Sequence, residues 1–175
     1  RRMMKLVADL LDVAAIDAGR ISVTPRPCSI QSLVFEVFDE LSPQAKAAES
    51  ELLCEVPDGL PLAIADVQRV TQVLANLVGN AIKFTPEGGC VTARARSTNE
   101  AELEVSIVDT GAGIPAAHLE HVFDRFWQGP TGKPGSGLGL AICRGLVERS
   151  GRRIWAESTA GSRATLTFTL PWGAP

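Results

Sequence analysis

The 175-residue chain has no apolar run near the ~20 residues that a membrane-spanning helix needs, and nothing at its start reads as a signal peptide. Its four cysteines, Cys28, Cys54, Cys90 and Cys143, are far apart, with no Cys-x-x-Cys pair, and there are only two histidines. Neither a zinc site nor a disulfide framework is therefore suggested, and a cytosolic, reducing compartment is expected. No sign of charge dominates: 17 Lys and Arg face 20 Asp and Glu, for a net charge of -3 and a pI near 5.4. That balance removes the electrostatic case for nucleic acid or an anionic membrane as a partner.

What is present is enough apolar content, 45%, to build the core of one ordinary domain with an appendage. The organising stretch is Asp66 to Phe84. Val67, Val70, Val73, Leu74, Leu77, Val78, Ala81 and Ile82 recur at helical spacing and predict a broad buried stripe. At about 100° per residue, Arg69, Gln72, Asn76, Asn80 and Lys83 share one flank of that helix. Asn is a poor choice for an exposed helix interior, because its side chain competes for backbone hydrogen bonds. Carboxamides and an ammonium one turn apart can offer oxygen to a hard cation and charge to a phosphate; a solvated polar face is the alternative.

From the start, Met3 to Ala18 reads as an amphipathic helix stopped by Gly19. Its wide apolar stripe is expected to pack on partner helices in a bundle or coiled coil, with docking on the chain's own core as the alternative. An extended stretch, Arg20 to Pro27, leads to Ser29, which caps a second helix through Leu33, Val34, Val37, Phe38 and Leu41, with Pro43 in its middle expected to shift or kink it before an end near Glu49. Leu52–Val56, Cys90–Arg96, Leu103–Asp109, Arg153–Glu157 and Ala164–Leu170 read as strands, the second and third joined by the turn Ser97 to Glu100. A short helix is expected around His118 and His121, both of them surface or packing residues, and Phe123 is expected as a core anchor.

Two further stretches carry chemistry. Asp109-Thr-Gly-Ala-Gly-Ile-Pro places a carboxylate at a strand end, beside glycine backbone that a planar ligand can approach; a tight turn with an Asp in it is the alternative. Gly135-Ser-Gly-Leu-Gly-Leu opens a helix with alternate glycines, exposing N–H groups at the positive end of its dipole, a place suited to phosphate. The G-x-G-x-G spacing is neither that of a dinucleotide-binding fold nor that of a P-loop. Before it lies Gly129 to Ser136, with the composition of a mobile lid.

The order Asn76-x-x-x-Asn80-x-x-Lys83-Phe84, Asp109-x-Gly111-x-Gly113, Phe123-x-x-Phe126, Gly135-x-Gly137-x-Gly139 resembles the N, first glycine, F and second glycine boxes of two-component sensor histidine kinases. The likeness runs over nearly the whole chain. It implies an α+β fold: a two-layer α/β sandwich, a mixed sheet covered by helices on one face (the Bergerat ATP-binding fold), preceded by one amphipathic helix. Residues 1–20 would be the end of the second helix of a dimerisation and phosphoacceptor hairpin, 21–28 a linker, and 29–175 the catalytic domain. The chain is thus expected to be a piece of a longer protein.

The resemblance also implies roles. Asp109 would accept a hydrogen bond from the adenine amine of ATP, with Gly111 and Gly113 shaping that pocket and Thr165 supporting it. Asn80 would bind magnesium, with Asn76 and Lys83 near the phosphates. Gly135, Gly137 and Gly139 would let the lid close, and Phe126, Lys133, Leu138 and Leu140 complete the nucleotide-binding set. The implied partners are the phosphoacceptor hairpin of the same protein, homodimeric in the parent, and the receiver domain of a response regulator.

The ATPase branches of the fold carry Glu at the position of Asn76, and an amide cannot take a proton from water, so transfer to a histidine is expected rather than hydrolysis. An ATPase, an anti-sigma-type serine kinase and a nucleotide-binding scaffold are the alternatives. Three departures stand out. No His precedes Arg20, so the chain alone is not expected to phosphorylate itself by the family route. Gln128 stands where many relatives carry Arg in a short lid, leaving Arg125 or Lys133 to compensate. Arg152 replaces a frequent Gly, with a local effect expected.

Overall fold

The computed structural model describes residues 2–98, 100–159 and 161–173; Arg1, and Asn99 in the turn between the two central strands, lie outside them. Helix α1 spans Arg2–Asp17 and ends as the sequence implies. Gly19, at φ +66°, donates its N–H to Ile16 O, and Arg20 to Ala15 O, which satisfies two carbonyls of the last turn. Helix α2, Ile30–Ala47, starts where Ser29 Oγ accepts the Ser32 N–H at 3.3 Å, and it runs through Pro43. Helix α3, Val67–Phe84, is capped by Asp66, whose Oδ1 accepts the Arg69 N–H at 3.2 Å.

Strands β2 (Glu51–Glu55), β4 (Cys90–Ser97), β5 (Glu102–Asp109), β6 (Ile154–Thr159) and β7 (Arg163–Pro171) form one five-stranded sheet in the order β2-β4-β5-β7-β6. β2 and β4 are parallel and the other pairs antiparallel, so the sheet is mixed. The inward side chains Val91, Ala93, Val105, Ile107, Leu166 and Phe168 meet Leu74, Leu77, Val78 and Ile82 of α3 in the buried core. Helices α2, α3 and α4 (Gly139–Arg149) form the second layer, and α1 packs on α4.

Two elements differ from expectation. β1 (Arg26–Cys28) and β3 (Ala63–Ala65) pair in a separate two-stranded sheet; three residues are too few to show alternation. Around His118 there is only a single 3-10 turn, Ala116–His118, and α4 begins at Gly139, four residues after the first glycine of its run.

The apolar stripe of α1 is divided. Val13 and Ile16 pack on the core, with Ile16 filling the place a side chain at Gly145 would take, which is the docking alternative. Met3, Met4, Leu6, Val7, Leu10 and Leu11 remain exposed.

Candidate functional site

The polar flank of α3 has two separate uses. Its first half holds α1: Gln72 Nε2 donates to Asp12 Oδ2 at 2.6 Å, and Arg69 Nη1 to Gln72 Oε1 at 3.2 Å. Its second half, Asn76, Asn80 and Lys83, faces an open cavity of about 1690 Å³. α1 borders both halves: Asp12 takes the Gln72 bond, while Arg2, Lys5 and Asp9 line the same cavity as Asn76, Asn80 and Lys83. Gly79 also lines the cavity, so the wall beside the amides is bare backbone.

At one end of the cavity lies Asp109, 6% exposed at the end of β5. Its Oδ1 accepts the Gly111 N–H at 2.8 Å. Burial raises its pKa above the ordinary carboxylate value, against the pull of the Gly111 and Ala164 amides. Ile82, Ile114, Val122, Ala164 and Leu166 give this end an apolar wall fit for a flat ring. Gly113 has φ +75°, and a Cβ there would stand 2.5 Å from Thr159 O and 2.8 Å from Ser158 Oγ.

Ser158 is a residue the sequence reading missed. Its hydroxyl accepts the Ile114 N–H at 2.6 Å and donates to Arg163 O at 2.7 Å, clamping the glycine loop to the β6–β7 hairpin. The only sequence signal would have been a small hydroxyl residue at a strand end.

The other end is cationic. Lys83 Nζ lies 4.9 Å and Lys133 Nζ 5.9 Å from the centre of the Phe84 ring, and Lys133 donates to Lys83 O at 2.6 Å. Burial first, and then the neighbouring charges of Lys133 and Arg2, hold the Lys83 ammonium below its usual pKa. An anion placed here would relieve that repulsion.

The lid folds over this end. Gln128 Nε2 donates to Gly135 O at 2.8 Å, and the Phe126 N–H to Gly137 O at 2.9 Å. Gly137, at φ +71°, would bring a Cβ to 2.6 Å from the Phe126 backbone. At the start of α4, Gly139 lies against Asn76 Oδ1. Cys143, one turn on, is inert: burial pushes its thiol up to about 12, although the Asn76 side chain pulls the other way.

Of the residues singled out in the sequence, Asn76, Asn80, Lys83, Asp109, Gly111, Gly113, Lys133, Gly135, Gly137, Gly139 and Leu140 line one cavity. Three do not. Phe126 is exposed, with φ +60°, and contributes backbone to the lid. Leu138 is fully buried and anchors the lid to the core. Thr165 pairs with Val108, and its neighbours Ala164 and Leu166 line the cavity, so strand alternation turns Thr165 to the other face; Ala164 is the residue opposite Asp109.

Arg125 is not free to replace an arginine at position 128, since its guanidinium pairs with Asp17 of α1. Arg152 binds the buried Glu102 at 2.7 Å, a local role as expected. His121 pairs with Asp124 at 2.9 Å, and His118 packs edge-on against Trp127. No group of three or more His, Cys, Asp or Glu poised to hold a metal occurs among the described residues, nor does any helix among them have the length and apolarity to cross a membrane.

The family model described as "Histidine kinase-, DNA gyrase B-, and HSP90-like ATPase" matches residues 65–174. The adaptive-response sensory kinase SasA of Synechococcus elongatus is 32% identical over 173 residues, which cover 98% of this chain and 45% of the relative. The chain therefore spans about half the length of that curated relative. Full-length ShkA, solved in complex with AMPPNP, superposes with a TM-score of 0.89 at 31% identity, over 99% of this chain and 37% of that one. ThkA, solved in complex with the response regulator protein TrrA, gives 0.77 at 25% identity, over 98% and 49%. The match takes in α3, both glycine loops, the lid and four of the five strands of the sheet that supports them, and on that ground this chain belongs to the family of histidine kinase-, DNA gyrase B- and HSP90-like ATPases.

Proposed function

We propose that the chain is the ATP-binding catalytic part of a sensor histidine kinase, which transfers the γ-phosphoryl group of ATP to a histidine on a dimerisation hairpin. The observation that carries the reading is the composition of α3. It presents Asn76, Asn80 and Lys83 to the cavity and has no Asp or Glu along its length. A hydrolase on this fold needs a carboxylate there to take a proton from water; carboxamides hold oxygen ligands but accept no proton at neutral pH.

Asp109 and the Gly111 to Gly113 loop would receive adenine, with Ala164 beside it. Lys83 and Lys133 would neutralise the phosphates, and Gln128, lacking charge, would serve the lid through its bond to Gly135 O. Magnesium suits amide oxygen, and it commonly takes one or two protein ligands and fills its shell with phosphate and water. Asn80, with Asn76 beside it, would hold the ion, which supplies charge neutralisation on the β- and γ-phosphates. In the transfer an imidazole nitrogen forms a bond to the γ-phosphorus as the bond to the β–γ bridging oxygen breaks, and ADP leaves. Such a step depends on positioning and charge more than on covalent chemistry by the protein.

His118 and His121 are the chain's only histidines and neither lines the cavity, so the proposed acceptor is a histidine of the hairpin that α1 would help to form, in a homodimeric parent. A response-regulator receiver domain is the proposed next acceptor; the complex of ThkA with TrrA supports it by likeness.

The test is to mix the chain with magnesium, γ-labelled ATP and a hairpin fragment bearing a histidine. The fragment should become labelled, and labelling should vanish in Asn80→Ala and persist in His118→Ala. Robust phosphate release by the chain alone, undiminished in Asn76→Ala, would point instead to an ATPase. Binding without transfer would point to a nucleotide-binding scaffold.

A further inference from the structure

Burial in α1 is inverted. Its large apolar side chains Met3, Met4, Leu6, Val7, Leu10 and Leu11 are 40% to 78% exposed, while the residue it buries is a carboxylate, Asp9, at 6%. Burying a carboxylate is costly, and where only docking is at stake an apolar residue of similar volume does as well or better. The contacts of Asp9 lead into the lid. Its Oδ2 accepts from Ser136 Oγ at 3.2 Å, and both its oxygens lie 3.4 Å from Lys5 Nζ. Ser136 stands between Gly135 and Gly137, and its Oγ also accepts the Leu138 N–H at 3.2 Å, just before α4 begins. Asp9, Ser136 and Gly137 line the same cavity as Asn76 and Lys83.

We propose that Asp9 is a positioning residue for nucleotide binding: it fixes the Ser136 hydroxyl, and through it the Leu138 amide, so that the glycine loop stays closed over the phosphate end of the cavity. The inference rests on the reading of that cavity as an ATP site. The two flanking glycines restrict the backbone least; they are held through their carbonyls, Gly135 O by Gln128 Nε2 and Gly137 O by the Phe126 N–H, which leaves the Ser136 side chain to be fixed from elsewhere. The carboxylate replaces that missing rigidity with a charge-assisted hydrogen bond from a different element. The grip of the lid then depends on α1 being docked.

The experiment is calorimetric titration of magnesium–ADP into the full chain and into Asp9→Ala, Asp9→Asn, Ser136→Ala and the double alanine variant, with a melting curve for each. A hydrogen bond to a charged group is worth about tenfold in affinity. Each alanine variant should lose about that factor, the double should lose no more than either single because they share one bond, and Asp9→Asn, which keeps an acceptor oxygen but not the charge, should recover part of it. Hydrogen exchange at the Leu138 amide, read without nucleotide, should be faster in Ser136→Ala and in Asp9→Ala, with the rest of α4 unchanged.

Unchanged or tighter binding in Asp9→Ala, or additive losses in the double, would overturn the proposal while leaving the ATP site standing. A wild-type chain that binds no nucleotide would overturn both. If Asp9→Ala fails to fold, Ser136→Ala and Asp9→Asn decide alone: full affinity in Ser136→Ala, or a loss in Asp9→Asn as large as in Ser136→Ala, would refute it.

Discussion

Asp109 lies under an apolar wall with its charge opposed by burial, an arrangement that costs stability at neutral pH. Its folded pKa is raised above 3.8, so its protonated form is favoured in the folded state. The stability it contributes is full below the unfolded pKa and is lost as pH rises through the raised folded value. Asp109→Asn should therefore melt at a higher temperature than wild type at pH 7, with the gap closing toward pH 3. The same variant should bind ADP at least about tenfold more weakly. An amide has one acceptor oxygen, already used by the Gly111 N–H, and would turn its own donor toward the adenine amine. Melting curves and titrations on one preparation check both halves.

Lys83 gives the complementary case, a cation whose proton is loosened by burial, by Lys133 and by Arg2. Polyphosphate should raise its pKa again, so binding at alkaline pH should take up protons and weaken as pH climbs through the depressed value. Calorimetry in two buffers of different ionisation enthalpy reads that uptake. Lys83→Met should abolish it.

Among the elements, α3 was the most legible, because its apolar residues keep helical period over five turns and Asp66 stands at the cap position. The boxes were legible for a different reason: each local run has an ordinary alternative of its own, and it is their order along the chain that is specific. What stayed hidden depends on distant partners. The β1–β3 pair joins residues about forty apart in three-residue strands; the Ser158 clamp spans 44 residues and the Ser136–Asp9 bond 127. Thr165 was misplaced by one residue, and a slip of one in a strand exchanges the faces of the sheet.

Asp66 ties two parts of the chain together, since its Oδ2 also accepts the Thr24 N–H at 2.8 Å from the stretch between α1 and β1. Asp66→Ala should cost about 1 kcal/mol or somewhat more, as the loss of a cap does, measured by urea unfolding. At Gly145, a built Cβ would stand 2.8 Å from Ile16. Gly145→Val should accordingly loosen α1, with faster hydrogen exchange along Arg2–Asp17 and little change in the sheet.

For the whole molecule, the two-layer sandwich sets a cavity at one end of the helical layer, and α1 leaves an apolar strip facing outward. Contiguous exposed apolar surface of this kind drives association. The chain should elute as larger species with rising concentration, and Met4→Glu with Leu11→Glu should suppress this without changing nucleotide affinity, since neither residue lines the cavity.

The account as a whole depends on one ligand in one place. Magnesium–ATP should bind the chain with one-to-one stoichiometry in a calorimetric titration, and Asn80→Ala and Asp109→Ala, on two different elements lining the cavity, should each reduce that heat severely. No heat from the wild-type chain, or equal binding by all three proteins, would contradict it.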